Sequence, residues 1–238
     1  MTGTSARGVF VTGTDTGVGK TVVACALLRG LRARGIDAGA LKPVETGVHG
    51  DRPSDALALR AASGDADPLS DVCPQRFALP AAPTVAARAE NAAVHLEAIR
   101  GAHGRQAKRH AFLVIEGAGG LLVPAADGLT MADLAREFAV PLLVVARAAL
   151  GTINHTRLTL EAAARRGLDV AGVVISHSTG RLPAAEAANL ALLREGLQDL
   201  LVGEIPALRE GREPADSAIE FGSLLQRLRL TPAAQTSG

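Results

Sequence analysis

The chain has 238 residues, 25 basic and 24 acidic side chains, a formal net charge of +1 and 47 % hydrophobic residues. That length supports one large α/β domain with a substantial core, and the balanced charge gives no support to nucleic-acid or anionic-membrane binding. No run of about 18 apolar residues occurs, so no spanning helix is expected, and residues 1–8 hold no apolar stretch of signal-peptide length, which makes the cytoplasm the expected compartment.

Residues 8–12 (GVFVT) read as a first strand. A helix over 19–34 follows, with Val22, Val23, Ala26, Leu27 and Leu31 at helical spacing and Gly35 as its stop. Residues 37–42 read as a second strand, ended by Pro43. The pattern predicts helices over 54–62 and 84–101, with the proline-rich stretch between them (Pro68, Pro74, Pro80, Pro83) as loop. Residues 112–115 (FLVI) and 142–146 (LLVVA) read as buried strands, the second followed by a helix over 154–166. A strand over 170–175, a helix over 183–200, a short strand over 201–205 and a helix over 217–229 complete the series. From Thr231 the chain reads as a disordered tail, leaving a single domain over 1–230.

Strands alternating with helices predict a mostly parallel sheet with helices on both faces. Right-handed crossovers then bring the strands' C-terminal ends to one edge, where ligands bind. The unusual loops all follow strands: 13–19, 43–47, 116–120, 147–154, 176–180 and 206–208. Their convergence predicts one extended site. With no Trp or Tyr and only five Phe, the core is expected to be built from Val, Leu, Ile and Ala. Cys25 and Cys73 fit no metal or redox spacing; Cys25 reads as a small buried hydrophobe.

The first strand runs into Gly13-Thr14-Asp15-Thr16-Gly17-Val18-Gly19-Lys20-Thr21. A P-loop has four residues between its first Gly and its Gly-Lys-Ser/Thr; here there are five, a variant longer by one. Its glycines let successive N–H groups turn inward around phosphate oxygens, and the helix that follows adds its positive end. Lys20 suits the β/γ-phosphates and Thr21 a Mg²⁺ ion. The motif implies a nucleotide without saying what is done with it.

Only three of the 25 basic residues are lysines: Lys20, Lys42 and Lys108. Against an arginine-rich background, a retained lysine suggests a place for a compact ammonium. Lys42 ends the second strand beside the P-loop, where it suits phosphate or a reacting group; the bland alternative is a surface lysine before a proline turn. Glu116 ends FLVI ahead of Gly117-Ala118-Gly119-Gly120, the position of a Mg²⁺ ligand near a P-loop, and the glycines let backbone approach a ligand. Asp55, in the first turn of a helix, reads on its own as a dipole-stabilised cap ahead of a metal ligand. The six histidines show no i, i+4 metal pair and read as surface or supporting residues.

Taken together, GTDTGVGKT, KPVETG, SDALAL, EGAGGLLVP and LGTINH resemble, in order and spacing, the dethiobiotin synthetases, from about Val9 to about Leu208. The resemblance implies an ATP- and Mg²⁺-dependent enzyme that joins CO₂ (or bicarbonate) to 7,8-diaminopelargonate and closes a cyclic urea. It implies that Gly17, Val18, Gly19, Lys20, Thr21 and Val22 hold the triphosphate, with Gly117, Ala118 and Gly119 nearby. Thr21, Asp55 and Glu116 would ligate Mg²⁺, which assigns Asp55 to the metal. Lys42 and Lys20 would be catalytic, and Thr46 would bond substrate. Gly151, Thr152, Ile153 and Asn154 would grip the substrate carboxylate from the other subunit of a homodimer. The base pocket would comprise Ser176, His177, Ile205, Pro206 and Ala207. There the chain departs from its relatives: Ser176-His177 stands where many carry an adenine-reading Asn, and Ala207 replaces an aromatic, so loose base selection is expected.

Two other readings share the P-loop. A cobyrinate-type amide synthetase usually carries a glutaminase domain, for which 238 residues leave no room. A partitioning-type ATPase switch usually has an additional lysine early in the loop, where this chain has Thr14, Asp15 and Thr16.

Overall fold

The computed structural model describes residues 7–178, 182–208, 214–215 and 218–231. Six strands make one parallel sheet: β1 (Arg7–Gly13), β2 (Ala38–Leu41), β5 (Phe112–Gly120), β8 (Leu142–Arg147), β9 (Val170–Ser176) and β10 (Leu201–Ile205). Their spatial order is β10-β9-β8-β1-β5-β2. β1 is central, paired in parallel with β5 through Val9↔Val114 and with β8 through Val11↔Leu143. The order reverses direction at β1, and the P-loop leaves the sheet at that switch point.

Alternation along the strands sends side chains to two separate cores. Val9, Val11, Val114, Leu143 and Val145 pack with helix α1 (Lys20–Ala33), helix α2 (Ser54–Ala62) and helix α9 (Phe221–Arg227). Phe10, Leu113, Ile115, Leu142 and Val144 face the other side. There they meet α5 (Leu96–Arg109), α6 (Met131–Glu137), α7 (Thr152–Arg165) and α8 (Ala184–Leu197). Each fully buried Leu, Val or Ile is worth roughly 1.5–3 kcal/mol relative to exposure. The core is not purely aliphatic: Phe10, Phe77, Phe112, Phe138 and Phe221, all the aromatics present, are buried in it. Both cysteines are buried, and neither forms a disulfide.

Several boundaries differ from the sequence expectation. The single helix over 84–101 is two: α4 (Pro83–Ala89) and α5, which continues through Gly101 and Gly104. Asn91 at φ 53° breaks the run, and Ala92 donates back to the Ala87 carbonyl. The proline-rich loop holds a short helix, α3 (Leu69–Val72), and a two-residue strand, β4 (Arg76–Phe77), paired with β3 (Glu45–Thr46). β5 extends past Glu116 through its glycines to Gly120, which pairs with Gly13 across a register shift that follows Val11↔Glu116. A small hairpin, β6 (Pro124–Ala126) and β7 (Leu129–Thr130), leads into α6, whose start is a reciprocal capping box between Thr130 and Asp133. The helix over 183–200 ends at Leu197 and becomes a 3₁₀ turn. The last helix is shorter than 217–229, and Ser217 lies outside the described residues, as does the tail from Pro232. Among the described residues, no helix is long and apolar enough to cross a membrane.

Candidate active site

The C-terminal edge of β1, β2 and β5 carries a cavity of about 350 Å³. Thr16, Gly17, Gly19, Lys20, Thr21, Val22, Lys42, Glu45, Thr46, Asp55, Glu116, Ala118 and Gly119 line it. Parallel pairing produces this convergence: Leu41 lies beside Ile115 and Val11 beside Glu116, so the residues that follow each strand open on the same side. Gly19 is the N-cap of α1 at φ 92°, a left-handed conformation that glycine adopts without steric cost. A Cβ there would lie 2.6 Å from Ser176 Oγ, so a side chain would collide with the end of β9.

At the centre is Lys42, 3 % exposed. Its Nζ lies 2.5 Å from Glu116 Oε1 and 3.0 Å from Asp55 Oδ2. Thr21 donates its hydroxyl to the same Glu116 oxygen at 2.9 Å. Burial alone would lower the Lys42 pKa, but the facing carboxylates of Glu116 and Asp55 outweigh it and hold the ammonium above its ordinary value. Lys20 is different. Its Nζ reaches the Asp15 carbonyl at 3.3 Å, and burial, aided by repulsion from Lys42, lowers its pKa against the pull of Glu116 and Asp55. Two ammonium groups therefore share one pair of carboxylates.

Asp55 does not cap α2: its carboxylate faces Lys42. The cap comes from Glu45, which sequence reasoning passed over. Glu45 accepts from the Asp55 and Ala56 backbone N–H groups at 3.0 and 2.9 Å, one on each carboxylate oxygen. Burial pushes its carboxyl pKa up, opposed by those two N–H groups.

Mg²⁺ can be tested against this donor set. Glu116 is fully buried, and its Oε2 has no hydrogen-bond partner among the described residues. An uncompensated buried carboxylate oxygen is costly, and a cation offsets that cost. With the Thr21 hydroxyl and Asp55 adjacent, the donors are hard oxygens, few in number, as suits an ion that keeps waters and phosphate oxygens in its shell. Among the described residues no group of three or more His, Cys, Asp or Glu side chains could hold a metal ion; two carboxylates and the Thr21 hydroxyl fit only an open Mg²⁺ site completed by other ligands.

Not every sequence candidate reaches this cavity. Val18 is fully buried in the core, leaving only its backbone for a phosphate. Gly117 packs against Phe10, where a Cβ would come within 2.7 Å of the ring. Ser176 is buried behind Gly19. His177 donates its backbone N–H to the Ile205 carbonyl at 2.9 Å, which joins the ends of β9 and β10 next to Pro206 and Ala207. Its ring nitrogen Nε2 lies 2.5 Å from Glu204 Oε1, and Arg194 grips that carboxylate through two nitrogens.

Gly151, Thr152, Ile153 and Asn154 line a separate cavity of about 330 Å³ with Arg157 and Asn189. Gly151 is the N-cap of α7 at φ 88° and, having no side chain, makes no capping bond of its own. The Thr152 hydroxyl is buried without a partner among the described residues. A third cavity, about 460 Å³, is walled by Gly13, Thr14, Asp15, Thr16, residues 120–124 at and after the end of β5, and the face of α7 bearing His155 and Leu158.

A family model described as an AAA domain matches residues 7–215. The ATP-dependent dethiobiotin synthetase of Anaeromyxobacter dehalogenans is 56 % identical over 172 residues, spanning 72 % of this chain and 77 % of that protein. The chain belongs to the dethiobiotin synthetase family. Its namesake from Aquifex aeolicus is 38 % identical over 208 residues, 87 % of this chain and 92 % of that one. The counterpart from Methanocaldococcus jannaschii is 40 % identical over 175 residues, covering 72 % and 80 %. Membership makes this chain an ATP-dependent ligase of biotin biosynthesis. Among solved structures, the MinC:MinD cell division protein complex of Aquifex aeolicus superposes with a TM-score of 0.56 at 11 % identity, covering 98 % of this chain and all of that one; this likeness shows the P-loop fold alone.

Proposed function

We propose that this dethiobiotin synthetase uses the cavity around Lys42 to activate a carbamate formed from 7,8-diaminopelargonate and CO₂. One amine of the diamine adds to CO₂ and loses a proton, giving the carbamate. A carbamate oxygen attacks the γ-phosphorus of ATP, and ADP leaves. The second amine attacks the carbamoyl carbon and loses its proton; phosphate leaves and the cyclic urea closes. Nearly all of this is positioning and charge neutralisation.

The observation that carries the assignment is the charge arrangement: Lys42 held between Glu116 and Asp55, with one Glu116 oxygen unpartnered. Thr21, Asp55 and Glu116 would hold Mg²⁺, which supplies charge neutralisation for the β- and γ-phosphates when bound. With those carboxylates engaged elsewhere, Lys42 is released to face the carbamate and the transferring phosphoryl group. Lys20 and the backbone from Gly17 to Val22 bind the triphosphate, with Ala118 and Gly119 opposite. Thr46, on the same cavity wall, bonds the substrate. The base lies against Ser176, His177, Ile205, Pro206 and Ala207.

The N–H groups of Gly151, Ile153 and Asn154, which find no acceptor among the described residues, suit a carboxylate, whereas that of Thr152 donates to the Ala149 carbonyl and leaves its hydroxyl for the ligand; we assign this loop the substrate's carboxylate. Because this cavity shares no wall with the Lys42 cavity, the reading places its ligand in the active site of a second copy, in a cytoplasmic homodimer. No observation favours the switch-ATPase reading. Phosphate release from ATP, measured with and without the diamine and with and without bicarbonate, is the test. Release that needs both substrates is expected; release that ignores the diamine would overturn the proposal.

A further inference from the structure

From the geometry at the start of α2 we infer that Glu45 is a positioning residue that acts on the metal site through Asp55, an inference that rests on the reading of Asp55 as a Mg²⁺ ligand. Neither the helix nor its N-cap provides this function. The N-cap residue is Pro53, which has no side-chain acceptor, and Asp55 turns its carboxylate away toward Lys42. A helix start buried without an acceptor leaves several N–H groups unsatisfied. Glu45 fills that place from a different strand, 10 and 11 residues earlier in the chain than the donors it serves.

Its reach has a geometric consequence. Each carboxylate oxygen takes one N–H, at 3.0 Å from Asp55 and 2.9 Å from Ala56. Two parallel bonds from one rigid carboxylate set both the distance and the rotation of the first turn of α2 relative to β3. Asp55 is the residue whose backbone is held, so its side chain can leave the helix in only a narrow fan of directions, toward Lys42 and Glu116. Glu45 is 4 % exposed and lines the same cavity, yet both of its oxygens are committed to α2, so it stands behind the metal site rather than in it. The Thr46 side chain follows directly on β3, so the same anchor also ties the cavity wall to α2.

The test uses the whole protein and metal binding rather than turnover. Mn²⁺ replaces Mg²⁺ as a spectroscopic probe, and its affinity in the presence of ADP is titrated for the wild type, Glu45→Ala, Asp55→Asn and the double variant. Removing a cap typically costs about 1 kcal/mol, so Glu45→Ala should weaken Mn²⁺ binding about fivefold at 1.4 kcal/mol per tenfold. In the Asp55→Asn background the same change should add nothing, since the residue it positions is already disabled. Amide exchange at Asp55 and Ala56 should quicken in Glu45→Ala. If Glu45→Ala proves insoluble, Glu45→Gln replaces it; the amide keeps one acceptor and should give an intermediate loss. Lower thermal stability with unchanged Mn²⁺ affinity would reduce Glu45 to a structural cap and overturn the inference. Losses that multiply in the double variant would overturn it too, because Glu45 would then act independently of Asp55. If Asp55→Asn leaves Mn²⁺ affinity intact, the metal assignment of Asp55 itself fails, a separate result.

Discussion

The two halves of the sheet's C-terminal edge are built differently. Around β1, β2 and β5 the ionic side chains are buried and already bonded to one another: Lys42 to Glu116 and Asp55, Thr21 to Glu116, Glu45 to α2. Around β8, β9 and β10 the candidate groups are backbone N–H groups, a small alanine and a histidine tied away to Glu204. Charge stabilisation of a phosphoryl transfer rewards groups fixed in advance. Holding a base or a carboxylate tail contributes binding, where looser contacts suffice. The difference predicts that substitutions on the first half strike the rate and those on the second strike selectivity and affinity.

Lys20→Ala should have the largest effect, a loss on the order of 10²–10³ in kcat, typical of removing one preorganised charge contact. Steady-state phosphate release on folded protein checks it, and near-normal turnover would remove Lys20 from the phosphate site. Lys42→Arg follows. Charge is kept, but a planar guanidinium does not fit between two carboxylates that close on a compact ammonium, so a loss of about 10²-fold is expected, the scale of an ångström of misplacement. Retention of most activity would show that any cation serves there.

Glu116→Gln should raise the Mg²⁺ concentration needed for half-maximal rate by more than Asp55→Asn does, because Glu116 is buried and Asp55 partly exposed. Equal shifts would mean that burial does not grade the two ligands. On the second half, the ratio of kcat/KM for ATP over CTP or GTP should fall short of roughly 10⁴, the level reached by dedicated hydrogen-bond readout. A larger ratio would show that the base contacts are as specified as the phosphate contacts.

The smallest effect lies outside both halves and concerns stability. His103 stacks on Phe138 with ring centroids 4.3 Å apart, and its Nε2 is buried without a partner among the described residues. Burial lowers its pKa below the ordinary 6.5, against a weaker pull from Glu137. The unfolded chain therefore binds this proton more readily, and stability falls as pH drops through 6.5 toward the folded value. His103→Leu should flatten that part of a chemical-denaturation profile measured between pH 7.5 and 5.5; an unchanged slope would assign it to other groups.

The mixing of subunits tests the proposed division across the two cavities. Lys20→Ala combined with a variant disrupted at Gly151 and Asn154 should recover part of the activity once subunits exchange, since one site of a mixed dimer has both halves intact. Demonstrated exchange with no recovery would place the carboxylate within one chain.

The sequence by itself determined the sheet, the P-loop and the identity of the charged candidates. Those signals are local: apolar alternation, glycine at a left-handed turn, lysine scarce enough to stand out. Parallel strands then had to deliver Lys42 and Glu116 to the same edge as Lys20. Tertiary structure alone decided which partner each charge found. Asp55 in a first helical turn is, locally, an ordinary cap; it is free for other work only because Glu45, remote in sequence, satisfies the helix from another strand. The break at Asn91 and the continuation of β5 past Glu116 were also settled by packing and pairing across the fold. A hydrogen bond between residues 10 or 74 apart leaves no periodicity in the chain, so its trace appears only when the strands are brought side by side.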